Sequence, residues 1–148
     1  MNESIRGIEC SLYKGSINEL LDFLVEESCE FYAPWYMGID NTHTTLPRAK
    51  QNLHLTALGL KDLAKESIWE LVLQLYPKGY DYEVIETYID FQRSSCICCI
   101  IFYDCGLMEI YIKNSVLFEL IYNKLNQIQA EDIELITSYN DKRTYLHL

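Results

Sequence analysis

The feature that most constrains the fold is the run CICCIIFY at 96–103. Successive residues of a strand point to opposite faces. Cys96, Cys98, Ile100 and Phe102 then share one side, and Ile97, Cys99, Ile101 and Tyr103 share the other. Both sides are apolar, so the run reads as a central strand covered on both faces. Asp104-Cys105-Gly106 supplies turn chemistry. LMEIYIK (107–113) then returns as a half-buried strand, with Met108, Ile110 and Ile112 inside and Glu109, Tyr111 and Lys113 outside. The expected unit is an antiparallel hairpin. The second apolar face of 96–103 needs a cover, supplied either by the segment 39–56 or by a second subunit. On that ground a homodimer is expected.

The same stretch holds Cys96, Cys98, Cys99 and Cys105, four of six cysteines. A structural zinc site needs four ligands converging as a tetrahedron, usually from C-x₂₋₄-C pairs. The chain lacks the two such pairs that a site needs, and alternation turns Cys99 away from Cys96 and Cys98. Free cysteine packs as a small hydrophobe and is often buried. The cysteines therefore read as core, with zinc binding as an alternative that no spacing supports. Cys105 in the turn is the candidate reactive thiol, although the neighbouring Asp104 disfavours its thiolate. Cys10 and Cys29 are isolated, and nothing resembles a disulfide framework.

The other elements follow from periodicity. GIECSLY (7–13) alternates, with Ile8, Cys10 and Leu12 on one face and Glu9, Ser11 and Tyr13 on the other. SINELLDFLVEE (16–27) is a helix opened by an S-x-x-E capping box at Ser16 and Glu19. EFYAPWYMG (30–38) is a strand that Pro34 places at an edge or at a bulge. Residues 39–52 read as the longest irregular segment. A short helix is expected over 60–66, then a strand over 68–77 with Trp69, Leu71, Leu73 and Leu75 inside. A second short helix is expected over 82–93, and a longer one from Asn114 or Ser115. IELITS (133–138) is a strand, and RTYLHL at the end is a candidate for another. Strands and helices mix without a βαβ rhythm. The expected fold is α+β: one domain over 1–148, a largely antiparallel sheet with helices packed mainly on one face.

Charge and motifs limit function. Twelve Lys+Arg face 22 Asp+Glu, a formal net charge of −10. The excess is spread along the chain, with no basic stripe. Nucleic-acid binding is excluded on this reading, and anionic membranes should repel the protein. MNESIRG has no apolar h-region, and no stretch is long enough to span a bilayer, so a cytoplasmic protein is expected. No G-x-S-x-G, H-E-x-x-H, Walker or G-x-G-x-x-G motif occurs. No catalytic residue, cofactor or metal ligand is assigned.

Three sets of residues remain as candidates. Glu19, Asp22, Glu26 and Glu30 follow helical spacing and line one face with carboxylates. With the outward tyrosines Tyr13 and Tyr111 they are candidate contacts for a protein partner. Tyr76, Tyr80, Tyr82 and Tyr88 cluster around the PKG turn at 77–79. Finally, His43, Thr44 and Thr45 of the THTT loop, with His54 and Tyr36, would line a ligand or catalytic site under the 39–56 loop. The leading expectation is a non-catalytic protein-binding module. By analogy, an inhibitor or immunity-type protein that masks a basic partner fits this profile. A small enzyme or ligand-binding protein is the alternative.

The order Tyr76-Pro77-Lys78-Gly79, Glu86-Thr87-Tyr88 with Asp90-Phe91, and Ser95-Cys96 opening an apolar strand that ends at Asp104 resembles a family of small uncharacterised proteins of spore-forming Gram-positive bacteria. Ile110-Tyr111 with Lys113, Tyr122, Ile136-Thr137, Asn140-Asp141 and Arg143-Thr144 continue the resemblance, and Trp35-Tyr36 with Gly38 is its N-terminal counterpart. It covers residues 68–145 well and the first half loosely. It implies a cytosolic bacterial protein and no particular activity. Cys98 and Cys99 depart from a family strand that is usually aliphatic there, and Cys105 stands where a small hydroxyl is usual.

Overall fold

A computed structural model describes residues 4–13, 15–39, 46–103 and 105–148. Among them the elements run β1 (Ile5–Ser11), α1 (Ser16–Leu24), β2 (Cys29–Ile39), β3 (Arg48–Leu55), α2 (Ala57–Leu63), β4 (Ser67–Pro77), α3 (Tyr88–Arg93), β5 (Cys98–Phe102), β6 (Leu107–Ile112), α4 (Ser115–Gln127) and β7 (Glu131–Thr137). The strands form one seven-stranded sheet in the order β3-β2-β4-β5-β6-β1-β7. Every pairing is antiparallel. The fold is α+β. No helix among the described residues is long and apolar enough to cross a membrane.

β5 is the central strand, and all five of its residues are buried. Cys98, Ile100 and Phe102 face a core closed by α1, α2 and α4 through Leu20, Leu21, Leu24, Leu60, Ile121 and Leu125. Cys99 and Ile101 face a second core with Val72, Tyr76 and Tyr111. Cys96 departs from the expected alternation: it joins Cys99 in the second core instead of siding with Cys98. The regular strand starts only at Cys98, and the Cys96 thiol donates to the Cys98 carbonyl at 3.2 Å.

The second face is covered within the chain, by Ile85, α3 through Phe91, and the C-terminal segment through Leu146. Neither the 39–56 segment nor a second subunit is needed there, so homodimerisation loses the argument that suggested it. Tyr111 is corrected by the same fact. It does point away from the helices, but it is fully buried beneath Tyr88 and Phe91.

α3 is placed by polar closures at both ends. Thr87 and Asp90 form a capping box, and Lys113 from the end of β6 donates to the carbonyls of Phe91 and Ser94 at 2.8 and 2.7 Å. The expected helix over 82–93 is therefore shorter. Just before it, Glu83 accepts from the Ser95 N–H at 2.7 Å and the Ser95 hydroxyl at 2.6 Å. These bonds, with Lys113 nearby, hold the Glu83 carboxyl below its ordinary value. A carboxyl so held favours the fold when ionised. Its contribution is complete above the ordinary glutamate pKa and is lost as pH falls through the lowered one. The Glu83→Gln protein should lose less stability than wild type between neutral pH and about pH 3 in urea titrations.

Other expectations change locally. The helix at Ser16 is opened by Gly15 in the left-handed region (φ 89°), with no side-chain cap, so the Ser16–Glu19 box does not form. α1 ends at Leu24, which leaves Glu26 in the following turn and Glu30 on β2. Pro34 sits at a bulge between Tyr32 and Trp35 on an interior strand. A register shift opposite Met37 and Gly38 places Ile68 in the core and leaves Trp69 half-buried at its rim. Residues 48–52 of the expected irregular segment belong to β3, an edge strand. The C-terminal RTYLHL adds no strand.

Candidate functional site

The candidate site forms where β4 ends. The turn after Pro77 is closed by the Tyr80 N–H donating to the Pro77 carbonyl at 3.1 Å, with Gly79 at φ 86°. Only glycine adopts that backbone without strain. The outgoing chain is then fastened to β4, because the buried Tyr76 hydroxyl accepts from the Glu83 N–H at 3.0 Å and donates to Gln74 at 2.7 Å. This tether lays Tyr82 on Tyr32 of β2, with ring centroids 4.0 Å apart and planes within 10°. β2 and β3 pair Tyr32 with His54. The imidazole therefore meets both tyrosines, at 5.0 Å from Tyr32 and 4.8 Å from Tyr82. The Tyr32 hydroxyl donates to Asn52 at 2.6 Å, and burial pushes its pKa up, so it stays a phenol. Glu30 accepts from the Gly79 N–H at 2.8 Å.

These groups enclose a cavity of about 300 Å³ whose walls include Glu30, Tyr32, His54, Tyr80, Asp81 and Tyr82. Among the described residues its lining holds two carboxylates and no lysine, arginine, serine or cysteine. It offers aromatic faces and negative charge, and its Thr56 hydroxyl accepts from the Gly59 N–H at 3.0 Å. A larger cleft of about 790 Å³ lies between β1, α1 and the β5–β6 turn. Two of its polar groups already have partners: the Asn18 amide donates to the carbonyls of Ala64 and Glu66, and the Glu66 carboxylate accepts from Tyr36 at 2.5 Å. A third cavity, of about 460 Å³, borders the C-terminal segment, where Arg143 donates to Glu109 through Nε and Nη2 at 3.1 and 2.9 Å.

The residues singled out from sequence fall apart in space. His43, Thr44 and Thr45 lie outside the described residues. Tyr36 is buried on the helix-covered face, whereas His54 is in contact with Tyr32, which belongs to the opposite core. Tyr36 and His54 do not share a site, and of these two His54 lines the aromatic cavity. Glu19 and Asp22 are exposed on α1 and Glu26 is exposed just beyond it, so the carboxylate stripe stops before Glu30. Tyr13 is exposed, and its hydroxyl donates to Glu131. The tyrosine cluster at PKG was the visible signal for the cavity, but it is divided: Tyr80 and Tyr82 reach the surface, while Tyr76 is buried.

Among the described residues no group of three or more His, Cys, Asp and Glu side chains is arranged to hold a metal. Cys98 and Cys99 point into different cores. Burial pushes the Cys10 and Cys96 thiols up to about 12, and Cys98 and Cys99 are raised well above the ordinary value for the same reason. Cys105 is exposed and Cys29 half-buried. In the native protein Ellman's reagent should label Cys105 at once and Cys29 slowly, and the other four only on unfolding. Fast labelling of a Cys105→Ser protein would contradict this burial.

Comparison with known proteins places the chain but supplies no activity. Residues 5–147 match a family described as protein of unknown function (DUF2691). An uncharacterised protein YncE of Bacillus subtilis (strain 168) is 34% identical over 74 residues, covering 50% of this chain and 48% of that relative. The match thus spans about half of each protein. No solved structure matches the chain. With nearly its whole length matched, the chain belongs to the DUF2691 family of proteins of unknown function.

Proposed function

We propose that the protein is a non-catalytic recognition module that binds a protein partner through the aromatic cavity at the end of β4. One observation carries this reading: Tyr80 and Tyr82 stand 56% and 43% exposed beside Glu30 and Asp81, on a backbone fixed by the Tyr76–Glu83 tether. Large aromatic side chains on a rigid support, next to polar rim groups, are the material of interface hot spots. Their exposure has no use in the core. The acidic balance of the chain favours a partner with a basic surface through long-range attraction.

The test is comparative co-purification from the native organism, using wild type and a Tyr80→Ala/Tyr82→Ala protein, with mass spectrometry. A partner retained by wild type should fall at least tenfold on the variant. Equal retention would remove the cavity from the interface.

A further inference from the structure

Granting that this cavity is the contact site, we propose that it receives a cationic side chain, a lysine or arginine of the partner. Three features of the walls point to this chemistry. Tyr82 stacks one face on Tyr32 and remains exposed at the cavity, and an aromatic face attracts a cation through its quadrupole. Glu30 uses Oε2 for the Gly79 N–H, which fixes the carboxylate beside the cavity while leaving its other oxygen for a donor. Asp81 adds a second carboxylate on the exposed rim. Among the described residues none that lines the cavity is a lysine or arginine that would compete for these acceptors. The exposed rings of Tyr80 and Tyr82 also give the lining apolar surface suited to the methylene stem of such a side chain.

The same geometry selects the source of the cation. Small-molecule sites bury most of their ligand's surface. Here the rim residues Gly79, Tyr80 and Asp81 are exposed, so a free amine would keep much of its surface in water. A side chain presented by a protein obtains the rest of its burial from the surrounding contact.

Blocked amino acids isolate this step: Nα-acetyl-lysine methylamide, Nα-acetyl-arginine methylamide and the uncharged Nα-acetyl-norleucine methylamide, each titrated into the whole protein while the ring resonances of Tyr32, His54 and Tyr82 are followed by NMR. Both cationic probes should shift these rings saturably and the norleucine probe should not. A Glu30→Gln/Asp81→Asn protein should bind the cationic probes about tenfold more weakly. Glutamine at 30 keeps an acceptor for the Gly79 N–H, and an unchanged spectrum elsewhere verifies folding. Equal shifts from norleucine, or no shifts from the cationic probes, would overturn the cationic assignment. Either result would leave the co-purification outcome to decide separately whether the cavity is the contact site.

Discussion

Replacing Asp141 by alanine should destabilise the protein by about 3 kcal/mol, as measured by urea unfolding. The Asp141 carboxylate is 2% exposed. It accepts from Arg6 Nη1 at 3.0 Å, from the Tyr111 hydroxyl at 2.9 Å and from the Arg143 N–H at 3.2 Å. Arg6 in turn lies over the Tyr88 ring, 4.1 Å from its centroid, and its Nε is buried without a hydrogen-bond partner among the described residues. Truncation leaves a partly buried guanidinium with its nearest counter-charge gone and a buried hydroxyl without its acceptor. The cost is that of unpaired groups, which exceeds the net worth of the pair itself. It should therefore shrink when the cation is removed as well. Arg6→Met should cost less in the Asp141→Ala background than in wild type, a coupling that a double-mutant cycle reads directly. A loss below about 1 kcal/mol would put this pair with exposed salt bridges and deny it a structural role. The site matters because Asp141 starts the C-terminal segment that brings Leu146 over the second core.

The parts of this fold legible in sequence are those whose signal is local. β5 is readable because both of its faces are apolar, and α1 because Ile17, Leu20, Leu21 and Leu24 repeat at helical spacing. β3 is not. Its sequence RAKQNLHL carries no clean alternation, because an edge strand is held by main-chain bonds to β2 and leaves most of its side chains in water. The start of α1 was misread because Ser16-x-x-Glu19 matches a capping pattern, whereas the preceding Gly15 takes the turn. Tyr111 shows a different limit. Alternation assigned its side of the sheet correctly, but its burial depends on Phe91, Asp141 and Leu146, which only the tertiary fold brings over it. The aromatic cavity combines both cases. The tyrosines near PKG stand out in the chain, yet their partners Tyr32 and His54 arrive through the β2–β4 and β2–β3 pairings.

The Gly7→Ala protein should be destabilised by about 3 kcal/mol or more, the upper range for steric overpacking. Gly7 lies on β1 between Tyr111 of β6 and Ile136 of β7, next to a register shift in the β1–β7 pairing. A β-carbon there would collide with the Ile110 carbonyl oxygen and come within 2.7 Å of the Ile110 carbonyl carbon and 2.9 Å of the Tyr111 Cα. All three atoms belong to the main chain of β6. A side chain in the way can change rotamer, but a strand held in the sheet on both edges cannot, so β1 must separate from β6. That separation would also disturb the Arg6 and Tyr111 contacts to Asp141 on either side of it. Gly59 provides the matched control. It lies in α2, its nearest non-neighbouring atoms are 3.5 Å from an added β-carbon, and its N–H can keep its bond to Thr56. Alanine there should stabilise by about 0.5–1 kcal/mol, because a helical glycine loses more backbone freedom on folding. The same chemical change should thus have opposite signs at the two positions. A Gly7→Ala protein as stable as wild type would mean that β1 and β6 do not pair with Gly7 opposite Tyr111.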